Sequence, residues 1–357
     1  MPTEPPPSAP KQTLPPKGTL RHYFLTALRL TDRPTVRVYR GFGTADCLTI
    51  YGHVLRLSPL ARTTYRNNPL VNLLAVLRLF MVRPYAGATV RLTCAGQTVD
   101  TSTNADGYFQ TELRPAQPLP SGWHTVDAQL RSQTLTPETV LAEATGLALV
   151  PHPTPFGCIS DIDDTFLISH SATIVKRLWV LLTENARSRR PFEGVVAHYQ
   201  LLAEANSGPG RTNPFFYVSS SEWNLYDYIG EFAQQHRLPN GVYRLAPLKR
   251  FSQLLQTGKG KHETKFDRIE QILTTYPEQS FILLGDDSQQ DPIIYEKTVA
   301  RFGRQIRAVY IRRVYPANQA RTETLVAQME AAGVPCCYFA HSAEARQHSV
   351  NLGLVAS

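Results

Sequence analysis

Asp161-Ile162-Asp163-Asp164-Thr165 follows directly on the apolar run Phe156-Gly157-Cys158-Ile159-Ser160, so carboxylates leave together from the end of what reads as a buried strand. Open parallel sheets bind their ligands at the carboxyl ends of strands, where side chains quit the core and face a crevice. The chain is passing from strand into loop here, so one carboxylate and one backbone carbonyl can converge on a cation while a second acid points elsewhere. That arrangement suits a nucleophile, Asp161, beside a general acid/base, Asp163.

From about residue 155 short apolar runs (156–160, 215–219, 242–245, 281–285 and 305–314) alternate with stretches of helical period (parts of 172–186, 195–204, 222–235, 263–275, 292–302 and 317–332). This is the rhythm of an α/β domain with a doubly wound, mostly parallel sheet. Upstream, β-branched and aromatic runs at 35–39, 47–55, 88–94, 97–101 and 122–129 read as an all-β sandwich, with residues 104–109 as the turn of an antiparallel hairpin. Residues 69–82 carry Leu70, Leu73, Leu74, Leu77 and Met81 at helical spacing and read as a helix packed on that sandwich. The expected organisation is a proline-rich disordered arm at 1–20, a β-sandwich domain at 21–150, a catalytic domain at 151–345 and a tail at 346–357.

Bulk properties narrow the function classes. The 357 residues are 42% hydrophobic, and no apolar run reaches the roughly 20 residues a bilayer span requires. Prolines stand where a secretory signal would have its apolar region, so the expected location is cytoplasmic. Five cysteines without paired spacing read as reduced structural thiols. The net charge of +8 points to anionic partners, such as phosphorylated substrates or acidic lipid surfaces. Nucleic acid is set aside, since no finger spacing, aromatic RNA-binding strand or long basic stripe occurs.

Three further segments complete a constellation with Asp161 and Asp163. Thr165, at the following helix start, steadies the loop and faces substrate. Phe215-Phe216-Tyr217-Val218-Ser219 is an apolar strand ending in a hydroxyl for a phosphoryl oxygen, with Ser220 and Ser221 in the same turn. Lys265 opens a helical stretch and supplies a cation, with Lys259 and Lys261 as nearby alternatives. Phe281-Ile282-Leu283-Leu284-Gly285-Asp286-Asp287 again delivers acids at a strand end, followed by Asp291. Mg2+ takes near-octahedral oxygen ligands, so Asp161, Asp163, Asp286, Asp287 and Asp291 form the candidate metal set; Asp291 could equally cap the helix that starts at Pro292. Singly each motif is a commonplace surface turn, but four in order at strand ends point to phosphoryl chemistry.

The ordered set DIDDT, FFYVSSS, Lys265 and GDDSQQDPIIY resembles the four motifs of the haloacid-dehalogenase phosphatase superfamily. PFEG at 191–194, YVSSSEWNLY at 217–226, LPNG at 238–241, FILLGDDSQQDPIIY at 281–295 and AVYIRRV at 308–314 resemble the catalytic domain of the actin-patch-associated phosphatidate phosphatase family. The resemblance covers about residues 150–320. It implies a Mg2+-dependent phosphatase converting phosphatidate to diacylglycerol, with Asp161 as nucleophile, Asp163 as acid/base, Ser219 and Lys265 at phosphate and Asp286 at the metal. The chain departs from that pattern at Asp287, where serine is usual, in spreading the usual His-Lys pair over His262 to Lys265, and at Glu222, where proline is common.

Two other readings compete. The same machinery could serve a soluble phosphate ester, and a membrane-surface or partner-binding module could carry vestigial catalysis. The basic residues Lys176, Arg177, Arg187, Arg189 and Arg190 suggest peripheral contact with an anionic phospholipid surface.

Overall fold

The computed structural model describes residues 30–31, 33–59, 78–132, 139–162, 194–248 and 264–356. These fall into two compact units, one made of the residues up to Val150 together with Leu248, the other of the residues from Pro151 to Pro247 and from Thr264 onward. The arm at 1–20, most of the helix expected at 69–82 and the basic segment 176–190 lie outside the described residues. No helix among the described residues is long and apolar enough to cross a membrane.

The amino-terminal unit is β-rich. Its strands are β1 (Leu30–Thr31), β2 (Thr35–Val38), β3 (Gly41–Thr44), β4 (Cys47–Pro59), β5 (Arg83–Pro84), β6 (Thr89–Cys94), β7 (Gln97–Ser102), β8 (Tyr108–Leu113), β9 (Gly122–Arg131) and β10 (Val140–Val150). They pair in the order β1-β4-β3-β10-β9-β6-β7, with β2, β5 and β8 also on β4. Strict alternation explains the core: β6 buries Val90, Leu92 and Cys94 and turns Arg91 and Thr93 outward. Ile50, Val54, Phe109, Val126 and Leu130 pack against them.

The hairpin expected around residues 104–109 does not form. β7 pairs with β6, whereas β8 pairs with β4, from Tyr108 opposite His53 to Leu113 opposite Leu48. The turn closes on itself instead, because Asn104 Oδ1 accepts from the backbone of Asp106 (2.9 Å) and Tyr108 (3.0 Å). Val54 N then donates to Gly107 O, which hands the chain across to β4. Gly107 has φ +69°, and a Cβ there would lie 2.5 Å from Val54 O, so only glycine suits.

Among the described residues, the carboxy-terminal unit holds six strands, all parallel: β11 (Gly157–Ser160), β12 (Phe215–Glu222), β13 (Gly241–Ala246), β14 (Phe281–Asp286), β15 (Ile306–Arg312) and β16 (Cys336–Phe339). Between them run α1 (Val195–Glu204), α2 (Tyr226–Gln235), α3 (Lys265–Thr275), α4 (Asp291–Phe302), α5 (Gln319–Ala331) and α6 (Ser342–Asn351). Every residue of β11 and β14 is buried, as expected of parallel strands covered on both faces, and this is why they read as unbroken apolar runs. The spatial order is β13-β12-β11-β14-β15-β16. Within the unit the strand order is thus third, second, first, fourth, fifth, sixth, which reverses direction between β11 and β14. A crevice opens outside the strand ends at such a reversal.

Residues beyond 345, expected as a tail, are part of this unit. α6 runs through the proposed boundary, and Ser349, Leu354 and Val355 are buried.

Candidate active site

Pairing registers place the acids. Ser160 lies opposite Leu284 across β11 and β14, and Asp161 N donates to Leu284 O at 2.8 Å, so Asp161 leaves its strand level with the end of β14. Asp286 is the last residue of β14 and Asp291 the first of α4. Carboxylate oxygens of Asp161, Asp286 and Asp291 all lie within 4.8 Å of one another, and all three residues are buried.

Lys265 joins them from α3. Its ammonium is 2.7 Å from Asp161 Oδ1 and also pairs with Asp291 Oδ1. The helix start that delivers it is set by a capping box: Thr264 Oγ1 accepts from Asp267 N, and Asp267 Oδ2 accepts from Thr264 N. Burial works against the lysine's charge, but the Asp161 and Asp291 carboxylates outweigh it and hold the ammonium above the ordinary lysine range.

The packing beneath is tight at Gly285. A Cβ there would approach Asp291 Oδ2 and the Tyr295 ring to 2.7 Å each. Tyr295 donates its hydroxyl to Leu284 O (2.8 Å), and its phenol is pushed well above its usual range by burial, with Asp291 and Asp161 adding to the effect. Asp291 Oδ2 is buried and has no hydrogen-bond partner among the described residues. Three buried carboxylates with ligand oxygens this close, one of them carrying an oxygen without a hydrogen-bond partner, suit the all-oxygen ligand set of a hard divalent cation, so these residues fit Mg2+.

The other sequence candidates fall differently. Asp163 and Thr165 lie outside the described residues, as do Lys259 and Lys261. Ser219 is buried near the end of β12; since Ser160 pairs with Tyr217, it sits on the rim beside Asp161 and Ile162. Its Oγ accepts from Ser221 N (2.8 Å), while Ser220 is half-buried in the same turn. Asp287, placed in the metal set from sequence, does not join the three acids. Its Oδ1 accepts from Val314 N (2.7 Å) and Tyr315 N (2.8 Å) and its Oδ2 from the Tyr338 hydroxyl (2.5 Å), which turns it toward β15 and β16. His198, assigned no role from sequence, is buried against Ser349 and Tyr310.

Sequence reasoning missed two contributors. Tyr295 was read as one residue of a helix, and only tertiary packing shows it beneath Gly285. Arg268, one turn beyond Lys265, donates to Ser219 O at 3.0 Å and fixes the end of β12. Its spacing of three from Lys265 was the available signal, since that places both on one helix face.

Residues 156–313 match the family model described as phosphatidate phosphatase APP1, catalytic domain. The phosphatidate phosphatase APP1 of Saccharomyces cerevisiae is 28% identical over 162 residues, 45% of this chain and 26% of that protein. An uncharacterized protein, C29B5.04c, of Schizosaccharomyces pombe is 23% identical over 217 residues, 60% of this chain and 34% of its own length. The chain thus spans about a quarter to a third of the curated relatives it matches. Among solved structures, a carbohydrate acetylesterase from Xanthomonas citri aligns at 9% identity over 87% of this chain and 71% of its own, with a TM-score of 0.33, too low for a shared fold to be read from it. Residues 156–313 are thus similar to the catalytic domain of the phosphatidate phosphatase APP1 family.

Proposed function

We propose that this protein is a Mg2+-dependent phosphatase with a haloacid-dehalogenase-like catalytic domain, hydrolysing phosphatidate to diacylglycerol. The observation that carries the reading is the meeting of Asp161, Asp286, Asp291 and Lys265 where the sheet reverses its order. The family of residues 156–313 supplies the substrate class.

Asp161, Asp286 and Asp291 would hold the cation. When bound, it would neutralise charge on the phosphoryl oxygens and on the neighbouring carboxylates. An Asp161 oxygen attacks phosphorus and forms an acyl phosphate as the ester P–O bond breaks. Asp163 gives its proton to the departing alkoxide, then takes one from the water that hydrolyses the acyl phosphate; inorganic phosphate leaves and Asp161 is regenerated. Lys265, kept protonated by its carboxylate partners, orients Asp161 and offsets the charge gathering at phosphorus. Ser219 lies on the same rim to donate to a phosphoryl oxygen. Peripheral contact with anionic phospholipid and a cytoplasmic location belong to this reading.

The test is phosphate release with Mg2+ from vesicular phosphatidate and from a panel of soluble monoesters. Asp161→Asn is expected to lose roughly a thousandfold or more in turnover, as removal of a covalent nucleophile does elsewhere. Equal activity in the variant would reject Asp161 as nucleophile, and preference for soluble esters would reject the lipid assignment.

A further inference from the structure

Asp287 stands next to Asp286 in sequence, yet its buried side chain faces away from the three converging acids. Beyond the bonds already given from Val314 N, Tyr315 N and the Tyr338 hydroxyl, its own N donates to Arg312 O at 3.0 Å, and its carbonyl accepts from Asn318 Nδ2 at 2.5 Å. These partners come from the ends of β15 and β16 and from the turn before α5. On the other side of the same residue, Ser288 N donates to Asp286 Oδ1 at 2.6 Å. The loop joining Asp286 to Asp291 is therefore tied by its second residue to the neighbouring strand ends.

We infer that Asp287 is a positioning residue that fastens the loop between β14 and α4 to the ends of β15 and β16, and so sets the affinity of the Asp161, Asp286 and Asp291 group for a divalent cation. This rests on the reading above that the group binds one. The physical reason is electrostatic. Carboxylates gathered within 4.8 Å repel one another before a cation arrives, and two of the three sit at the two ends of this short loop. A loop left to relax would separate them, and drawing them together again would cost metal affinity. A carboxylate that accepts from two backbone N–H groups and a tyrosine hydroxyl resists that relaxation, because giving up its bonds would leave a buried charge unsatisfied. Tyr338 is itself held in place, with the Arg313 guanidinium 4.8 Å from its ring centroid.

The rival assignment, suggested by position in sequence, makes Asp287 a direct metal ligand. Tyr338 separates the two, since its hydroxyl bonds the Asp287 carboxylate. A ligand would keep or gain affinity when Tyr338→Phe frees one of its oxygens, whereas a fastening would lose it.

The experiment titrates the full chain with Mn2+ and follows the free ion by electron paramagnetic resonance, with thermal unfolding in EDTA alongside. Asp287→Asn is expected to raise the Mn2+ Kd about 10- to 100-fold, the range seen when groups that orient metal ligands are removed, and Tyr338→Phe about three- to tenfold. Tyr310→Phe, which removes a buried hydroxyl from the remote Ser349 contact, serves as the control and is expected to stay within about twofold of wild type. An unchanged Kd in Asp287→Asn would overturn the inference. So would a Tyr338→Phe Kd equal to or below wild type, or one matched by Tyr310→Phe. Should Asp287→Asn fail to fold, the Tyr338→Phe arm decides. Absence of Mn2+ binding by the wild type would defeat the metal-dependent reading itself, and this inference with it.

Discussion

Lys265 offsets part of the charge of the site, since its ammonium touches both Asp161 and Asp291. All three groups are buried, so the pair cannot be treated as a surface salt bridge. Lys265→Met, which keeps the length and removes the charge, is expected to destabilise the chain by roughly 3–5 kcal/mol, the cost of breaking a buried ion pair from one side. Urea unfolding in EDTA measures it, and a loss below about 1 kcal/mol would place the pair among exposed ones. Gly285 tests steric fit. An added methyl would meet Asp291 Oδ2 and Tyr295 ring and hydroxyl atoms at 2.7–2.9 Å. Gly285→Ala is expected to cost about 1–3 kcal/mol, as overpacking does, and to weaken Mn2+ binding in the same preparation. Wild-type stability and affinity in that variant would mean the loop yields freely.

At the scale of elements, α3 carries its chemistry on its first residue, so the cap matters more than the helix. The reciprocal bonds between Thr264 and Asp267 satisfy two of the helix's otherwise unmatched N–H groups and fix where Lys265 begins. Thr264→Ala is expected to lower stability by about 1 kcal/mol and to reduce turnover more than substrate affinity, read from kcat and KM together. A fall in stability with unchanged kcat would show that Lys265 is placed by its ion pairs alone. Element boundaries show where local signals end. The unbroken apolar runs of β11 and β14 were legible because both faces are buried, and α1 was legible from its apolar period. β10 was not, since Val140–Val150 mixes three alanines, a glycine and a glutamate among its leucines and valines and gains its strand form from antiparallel pairing along β9. β16 is only four residues long, too short to show a period.

Across the whole molecule, the described residues include a fully buried histidine in each unit, His53 and His198, whose neutral form is held. Burial, with Arg37 adding to it, lowers the His53 pKa to about 3, and burial, with Arg312 and His348, lowers that of His198 to about 4. Above the unfolded value near 6.5, neither folded nor unfolded chain carries the proton and these groups do not affect stability. Below it the unfolded chain takes up protons that the folded chain refuses, so stability falls, down to about pH 4 for His198 and about pH 3 for His53. Each is expected to contribute a slope of about 1.4 kcal/mol per pH unit in that window. Urea unfolding at pH 7 and pH 5 should show the loss, and His198→Gln and His53→Gln should each flatten it. Equal pH dependence in both variants and wild type would assign acid sensitivity elsewhere.

The sequence by itself determined which strands are buried, the alternation that makes the second unit α/β, and the presence of acids at two strand ends, because burial on both faces and the passage from strand to loop are local properties written into residue order. Tertiary structure alone decided which of those acids meet. Asp161 and Asp286 are 125 positions apart and become neighbours only because β14 pairs with β11, and Asp286 and Asp287, adjacent in the chain, part company because successive residues leaving a strand point to opposite sides. Pairing across a sheet depends on the whole chain's competition for partners, so no stretch read singly contains it.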